Sequence, residues 1–378
     1  MYSVHDYGEM MADHVRMAAY REALRRTVRP GSVVVDLGAG AGVMAWIACK
    51  LGAKKVYAIE PSDVIEVARE IARANGFADR IEFLHQYSSS VRLPESADVL
   101  VSDLRGVLPP HRGHLETIAD ARVRFLKPAG ALIPQRDTLW AAVIEAPGPY
   151  GLHLGPWEDG DLDLSAWRRL VANTWSKQRF DAAQLLSEAA EWACIDYRTV
   201  ECTAVFGKLD VRATRAGNAH GLVVWFDANL IEDVGFSTAP GGPVTVYGQG
   251  FFPFLKAIPV EQGDTFEATI RADLAGGKYI WSWNTVIRAP SGAANADFHQ
   301  SAFHGDPLSP DRLRKRADSF VPKLNEDGAV DRLIIEQFGT GRSLHEIAVD
   351  IASRFPARFS NWQSALERVA CLSGTYSE

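Results

Sequence analysis

The chain has 378 residues, more than one ordinary domain needs, so two or three domains are expected. A hydrophobic content of 47% with 23% charged residues is that of a water-soluble globular protein. The net charge of −7 argues against nucleic acid as a partner, since such a partner calls for a basic surface.

Residues 9–28 are expected to form a helix, because Met10, Met11, His14, Val15, Met17, Ala18, Tyr20, Ala23 and Leu24 recur at helical spacing. Pro30-Gly31 stops it. A strand over 32–37 follows, whose consecutive valines (Val33, Val34, Val35) suit burial on both faces. It runs into Asp36-Leu37-Gly38-Ala39-Gly40-Ala41-Gly42 and a helix over 42–51 that ends at Gly52. A strand, a glycine turn and a helix in this order can hold an adenosine-containing ligand. The glycines let the backbone approach closely, and the helix presents its N–H groups. A dinucleotide site reads G-x-G-x-x-G, whereas Val43 stands at the third glycine here. Asp36 would repel a pyrophosphate but suits a cationic amino group or sulfonium. The next strand, 55–60, ends in Glu60, placed to accept hydrogen bonds from both hydroxyls of a ribose.

Pro61-Ser62-Asp63 opens a helix over 63–75 that stops at Asn75-Gly76. Strands are expected at 81–84 and 97–103, the second ending in Asp103. A helix near 113–126 and a strand near 130–133 complete an alternating α/β unit. After Pro134, strands are expected at Leu139–Glu145, Thr199–Phe206, Gly221–Asp227, Val244–Phe251 and Thr265–Ala272, separated by turns such as Pro240-Gly241-Gly242. This reads as an antiparallel β domain, a barrel or sandwich, with Trp281 and Trp283 in its core. A helical, polar stretch at 157–190 interrupts it. A Pro-, Gly- and Ala-rich linker is expected near 290, and the end, 330–378, is helical. The start, Met1-Tyr2-Ser3-Val4-His5-Asp6, lacks the pattern of a signal peptide, and no run of about 18 apolar residues suggests a membrane span. The four cysteines include no C-x-x-C pair, so neither zinc nor a disulfide framework is expected, and a reducing cytoplasm fits best.

The glycine turn with its two acids resembles the S-adenosylmethionine site of class I methyltransferases. The whole order resembles the protein arginine methyltransferases: helix, Rossmann-like unit, then β-barrel with a helical insertion. Met10, Met11, Asp13, Val15, Arg16 and Tyr20 are similar to that family's cofactor-covering helix. Ile133-Pro134 resembles its domain junction, and Gly235-Phe236-Ser237-Thr238-Ala239-Pro240 a barrel segment. The resemblance covers roughly residues 2–285. It implies S-adenosylmethionine as donor and S-adenosylhomocysteine as product. It also implies that Arg16 pairs with the donor's methionine carboxylate, that Gly38, Gly40 and Gly42 form the glycine loop, and that Glu60 is the ribose acid. Met10, Asp36, Pro61 and Asp103 are further expected donor contacts. The acid that usually meets the adenine falls on Ser89, which leaves Tyr87, Ser88 and Ser89 beside it. The resemblance implies the domains 1–30 (cofactor-covering), 31–136 (Rossmann-like) and 137–290 (barrel, with a dimerisation-arm-like insertion 157–190), and the composition of the remainder adds 291–378 (linker and helical module). It further implies a homodimer.

The family's acceptor loop carries two glutamates that clamp a guanidinium. Here the first falls on Asp103 and the second on Arg112, and the Thr-His-Trp stretch reads Thr245-Val246-Tyr247. Methyl transfer needs a lone pair aimed at the methyl carbon and a proton acceptor. Asp103 is the first candidate to orient or deprotonate the nucleophile, with His111 or His114 as base and His5 on the covering helix as a further candidate. Arg105 and Arg112 suit an anionic group of the substrate, and Glu116 could turn inward although its register is wrong. The expectation is a methyltransferase with an altered acceptor site, acting on a peptide, protein or small-molecule nucleophile. The alternatives are a true protein arginine methyltransferase with a rearranged loop, or a catalytically silent peptide-binding module. Pro322-Lys323-Leu324-Asn325 and Gly341-Arg342-Ser343-Leu344-His345-Glu346-Ile347-Ala348 resemble the small winged-helix modules related to the PqqD family, which would favour a peptide substrate.

Overall fold

The computed structural model describes residues 3–158 and 160–377, so the outermost expected domain bounds, residues 1 and 378, lie outside the described residues. The chain divides into two compact units, Met1–Pro307 and Leu308–Glu378.

The first unit opens with α1 (Val4–Ala12) and α2 (His14–Thr27). The expected single helix is broken at Asp13, which caps both. Its N–H donates to Glu9 O, its Oδ1 accepts from Arg16 N at 3.0 Å, and its Oδ2 accepts from Val246 N at 2.7 Å. One carboxylate thus ends one helix, starts the next and ties both to the β domain.

An alternating series follows: β1 (Val33–Leu37), α3 (Val43–Lys50), β2 (Lys55–Ile59), α4 (Val64–Ala74), β3 (Ile81–Leu84), β4 (Ala97–Ser102), α5 (His114–Phe125) and β5 (Leu126–Ile133). The strands form a parallel sheet in the order β3-β2-β1-β4-β5. All five residues of β1 are buried, as a central strand covered on both faces requires.

The β domain contains β6 (Arg136–Ile144), α6 (Pro147–Leu154), α7 (Ser165–Val171), β7 (Ser176–Gln178), β8 (Ala190–Asp196), β9 (Val205–Arg212), β10 (Gly217–Ile231), β11 (Val234–Ser237), β12 (Gln249–Val260), β13 (Thr265–Ala275), β14 (Lys278–Arg288) and β15 (Ala294–Ser301). They form a six-stranded sheet, with β7-β12-β10-β6-β8 as its path and β11 beside β10, and a four-stranded sheet β15-β14-β13-β9. The alternation read in β13 holds: Phe266, Ala268, Ile270 and Ala272 are buried. Trp281 and Trp283 on β14 are 1% and 0% exposed. Trp281 meets Phe252 at a centroid distance of 5.4 Å, and Trp283 Nε1 donates to Pro253 O at 3.2 Å.

Three expected segments differ. Most of Thr199–Phe206 is not a strand, because Asp196 O accepts from both Thr199 N and Val200 N and turns the chain; β9 starts only at Val205. Val244–Val246 stay in a loop closed by Gly248 at φ 65, and β12 starts at Gln249. The linker expected from residue 291 is a hairpin turn. Gly292 adopts φ 86, and β15 beyond it pairs with β14, so the division falls after Pro307.

The second unit holds α8 (Pro310–Arg314), α9 (Glu326–Ile335), α10 (Leu344–Arg354) and α11 (Trp362–Tyr376), the last three capped by Asn325, Ser343 and Asn361. Val330, Ile334, Ile347, Ile351 and Val369 form its own core. Its described residues contain no strand, so the wing of a winged-helix module is missing. Among the described residues, no helix is long and apolar enough to cross a membrane.

Replacing Trp283 with Ala would remove a fully buried indole between the two sheets and leave a cavity. Urea titration is expected to show the first unit destabilised by about 3–5 kcal/mol.

Candidate active site

The sheet order reverses between β1 and β4, and the crevice beyond their carboxyl ends is where an α/β sheet of this kind binds ligands. A cavity of about 900 Å³ opens there. The glycine turn after β1 forms one wall. Gly38 adopts φ 72 and Gly40 φ 52; a Cβ at Gly38 would clash with Leu104, and one at Gly40 would lie 3.1 Å from the Tyr7 ring. Side chains here would therefore fill the cradle. Glu60, just past β2, braces the turn: its Oε2 accepts from Gly40 N at 3.0 Å, and its Oε1 accepts from Ser62 N at 2.9 Å and Ser62 Oγ at 2.6 Å. Asp36 is 2% exposed and accepts from Ala45 N at 2.9 Å. Burial pushes its carboxyl up to about 7; the Ala45 N–H holds it back and the nearby Glu60 charge adds to the rise.

Asp103 follows β4 on the opposite wall. Its Oδ2 accepts from Arg16 Nη1 at 2.6 Å, its Oδ1 from Arg105 Nη1 at 3.1 Å, and Tyr247 Oη lies 2.7 Å from both oxygens. Burial opposes ionisation, but the Arg16 and Arg105 charges and the Tyr247 hydrogen bond outweigh it, and the carboxyl lies below its ordinary range. Asp103 is thus a fixed anion and a weak base. Tyr20 Oη donates to Ser102 O at 2.9 Å and completes the cluster.

Most expected site residues border this cavity: Met10, Arg16, Asp36, Gly38, Gly40, Glu60, Pro61, Ser88, Asp103, Arg105, His111 and Arg112. Five expectations need correction. His5 lies outside it, with its side chain 85% exposed and 3.7 Å from Glu9, because it sits on the outer face of α1. Ser89 lies outside it on an exposed turn, and Tyr87 borders it instead. Gly42 is not in the wall either. At φ 83 it starts α3, and a Cβ there would lie 3.0 Å from Ala68, so this glycine serves helix packing. Glu116 faces outward from the first turn of α5 and does not border the cavity. Arg105 has no accessible side-chain surface and is spent on Asp137, Tyr20 and Asp103, so it cannot offer its charge to a substrate.

His111 is half-buried, and burial together with the Arg112 charge lowers its pKa, which favours a neutral ring. His114 is 2% exposed; burial brings it down to about 4, and its Nδ1 lies 2.8 Å from Pro109 O. Sequence reasoning missed Tyr7, Thr117, Lys177 and the hydroxyl of Tyr247 as cavity groups. Tyr247 was in view only as part of a stretch lacking the expected histidine, and nothing in its spacing pointed to a carboxylate 144 residues away.

Residues 135–275 match the model of the arginine methyltransferase oligomerization subdomain, and residues 15–133 that of ribosomal protein L11 methyltransferase (PrmA). A probable protein arginine N-methyltransferase 6 of Arabidopsis thaliana is 30% identical over 309 residues, which span 69% of this chain and 71% of that relative. This chain belongs to the protein arginine methyltransferase family. It is an S-adenosylmethionine-dependent methyltransferase. Protein arginine N-methyltransferase 1 of Schizosaccharomyces pombe is 28% identical, over 72% of this chain and 82% of its own length. The family fold also appears in two solved structures. One is the Trypanosoma brucei PRMT1 enzyme–prozyme heterotetrameric complex with AdoHcy (TM-score 0.71, 23% identity, 80% of this chain and 98% of that one). The other is Arabidopsis thaliana protein arginine methyltransferase 10 (TM-score 0.71, 21% identity, 79% and 97%).

Because the folded state raises the Asp36 pKa, it binds that proton more tightly than the unfolded chain does. The stabilisation is full below about pH 4 and is lost as pH rises through about 7, amounting to no more than about 4 kcal/mol. Asp36→Asn cannot ionise. The melting temperature of the variant minus that of the wild type, without donor, is expected to grow between pH 5 and pH 8; a flat difference would contradict the assignment.

Proposed function

We propose that the chain is a protein arginine N-methyltransferase with a one-carboxylate acceptor loop. The observation that carries this reading is Asp103, an anion held at the donor cavity on the loop after β4, in a chain whose relatives are named arginine methyltransferases. The donor, when bound, supplies an electrophilic methyl carbon on a sulfonium sulfur. Gly38 and Gly40 give it backbone space, Glu60 is the acid for its ribose hydroxyls, and Ser88 and Tyr87 flank its base. Asp36 adds an acid on the positive side of the donor. Arg16 is directed at Asp103 and carries the charge that suits a carboxylate of the donor. Met10 and Tyr7 on α1 cover the pocket and exclude water.

On the acceptor side, Asp103 and the Tyr247 hydroxyl orient a guanidinium so that one nitrogen faces the methyl group. As the nitrogen–methyl bond forms and the sulfur–methyl bond breaks, the attacking nitrogen sheds one proton and the methylated guanidinium stays a cation, so orientation and a local negative charge matter more than a strong base. His111 borders the cavity, and its lowered pKa favours the neutral ring that can take the released proton.

A second reading is favoured by Arg112. It borders the cavity, is exposed, and adopts φ 45. A cation at this position favours an acceptor that carries an anionic group. We also infer a homodimer, supported by the matched oligomerization subdomain and by the exposed Leu152 and Trp167 on α6 and α7. Cytoplasmic placement rests on the four unpaired cysteines.

Incubation with S-adenosylmethionine and a peptide of alternating arginine and glycine is expected to add methyl groups on arginine, read by fragment mass spectrometry. Asp103→Asn is expected to lower the rate at least about 100-fold. Arg112→Glu is expected to raise kcat/KM for this peptide; turnover of an acidic peptide by the wild type that Arg112→Glu abolishes would favour the second reading. Light scattering is expected to give twice the chain mass, and a single chain mass at micromolar concentration would contradict the dimer.

A further inference from the structure

Asp137 lies on β6 with no exposed surface. It receives a two-pronged contact from Arg105, with Nε to Oδ2 at 2.6 Å and Nη2 to Oδ1 at 2.8 Å. Tyr197 Oη donates to Oδ2 at 2.6 Å. Two bonds from one planar guanidinium fix the plane of the group, and with it the direction of the third nitrogen. That nitrogen, Nη1, reaches Asp103 Oδ1 at 3.1 Å and Tyr20 Oη at 2.8 Å. The chain of contacts therefore runs from the floor of the β domain to the carboxylate at the donor cavity. None of its outer members, Asp137, Tyr197 or Tyr20, borders that cavity.

We propose that Asp137 is a positioning residue for Asp103: it locks Arg105 so that only one guanidinium nitrogen touches Asp103, which leaves the acceptor positions of that carboxylate not already taken by Arg16 and Tyr247 open to the substrate. This rests on the reading of Asp103 as the acceptor-facing carboxylate. Without Asp137, Arg105 would be a buried cation lacking its main counter-charge, and it would turn onto Asp103 and compete with the acceptor. Without Arg105, Asp103 would keep only Arg16 from α2 and Tyr247 from the loop before β12. The other titratable groups around the pair are Tyr20 on α2, His114 on α5, and Tyr197, which follows β8. A simple clamp between the two folds would treat both losses alike. A positioning device does not.

The test uses the full-length protein, S-adenosylmethionine and the arginine–glycine peptide, with calorimetric binding of S-adenosylhomocysteine as a separate readout. Asp137→Asn is expected to lower kcat/KM for the peptide about tenfold or more, with product binding within about twofold of wild type and a flat profile from pH 5.5 to 8. Arg105→Gln is expected to do the opposite to the profile. With one cation removed, the Asp103 pKa rises, and activity falls away as the pH is lowered. Tyr197→Phe keeps every charge and loses one hydrogen bond; it is the variant to use if Asp137→Asn does not fold, with an expected loss of about two- to fivefold. Wild-type kcat/KM in Asp137→Asn and Tyr197→Phe would overturn the proposal. So would product binding and turnover falling in equal proportion with unchanged profiles, which is the signature of a clamp alone. Asp103→Asn serves as the control. If it keeps wild-type kcat/KM, the underlying reading of Asp103 fails; if it is inactive while the other variants match wild type, only the role of Asp137 fails.

Discussion

A buried carboxylate survives as an anion only if cations and hydrogen-bond donors replace the water it has lost. Asp103 meets that condition with groups from three places: Arg16 on α2, Arg105 on its own loop, and Tyr247 from the β domain. The covering helices, the parallel sheet and the β domain therefore converge on one side chain. Asp13 makes the same connection a second time, since it caps α2 and also accepts from Val246, next to Tyr247. The positions of α2 and of the loop that carries Tyr247 are thus set together.

The two acids at the sheet's carboxyl edge are driven in opposite directions. Asp36 has one backbone N–H and no cation, so burial moves it up to about 7. Asp103 has two guanidinium groups and a phenol, so it stays below its ordinary range. The same residue type in two environments gives a proton-sensitive group on β1 and a lasting charge at the end of β4. Separate roles for paired carboxylates arise in this way wherever their surroundings differ.

Local features were legible in the sequence. The valine run, the positive-φ glycines and Glu60 are consecutive or nearly so, and their spacing states what the backbone must do. The alternation in β13 was readable for the same reason. Long-range charge pairing was not. Arg105 looked available for substrate because its partner Asp137 lies 32 residues away on a strand of the other fold. His5 and Glu116 looked plausible by position, but a helix has two faces and spacing alone did not say which one turns inward. The stretch near 290 misled because a glycine-rich hairpin turn and a linker share one composition. Gly42 fits the motif, yet it packs α3 on Ala68 rather than bordering the cavity.

The central claim is that Asp103 and the glycine turn face each other across one donor pocket. A crystal structure of the protein with S-adenosylhomocysteine bound tests it most directly. Expected are ribose hydroxyls on Glu60, no side chain between the ligand and Gly38 or Gly40, and the thioether sulfur on the same side of the pocket as Asp103 and Tyr247. A ligand elsewhere, or an Asp103 carboxylate turned away from the sulfur, would contradict it.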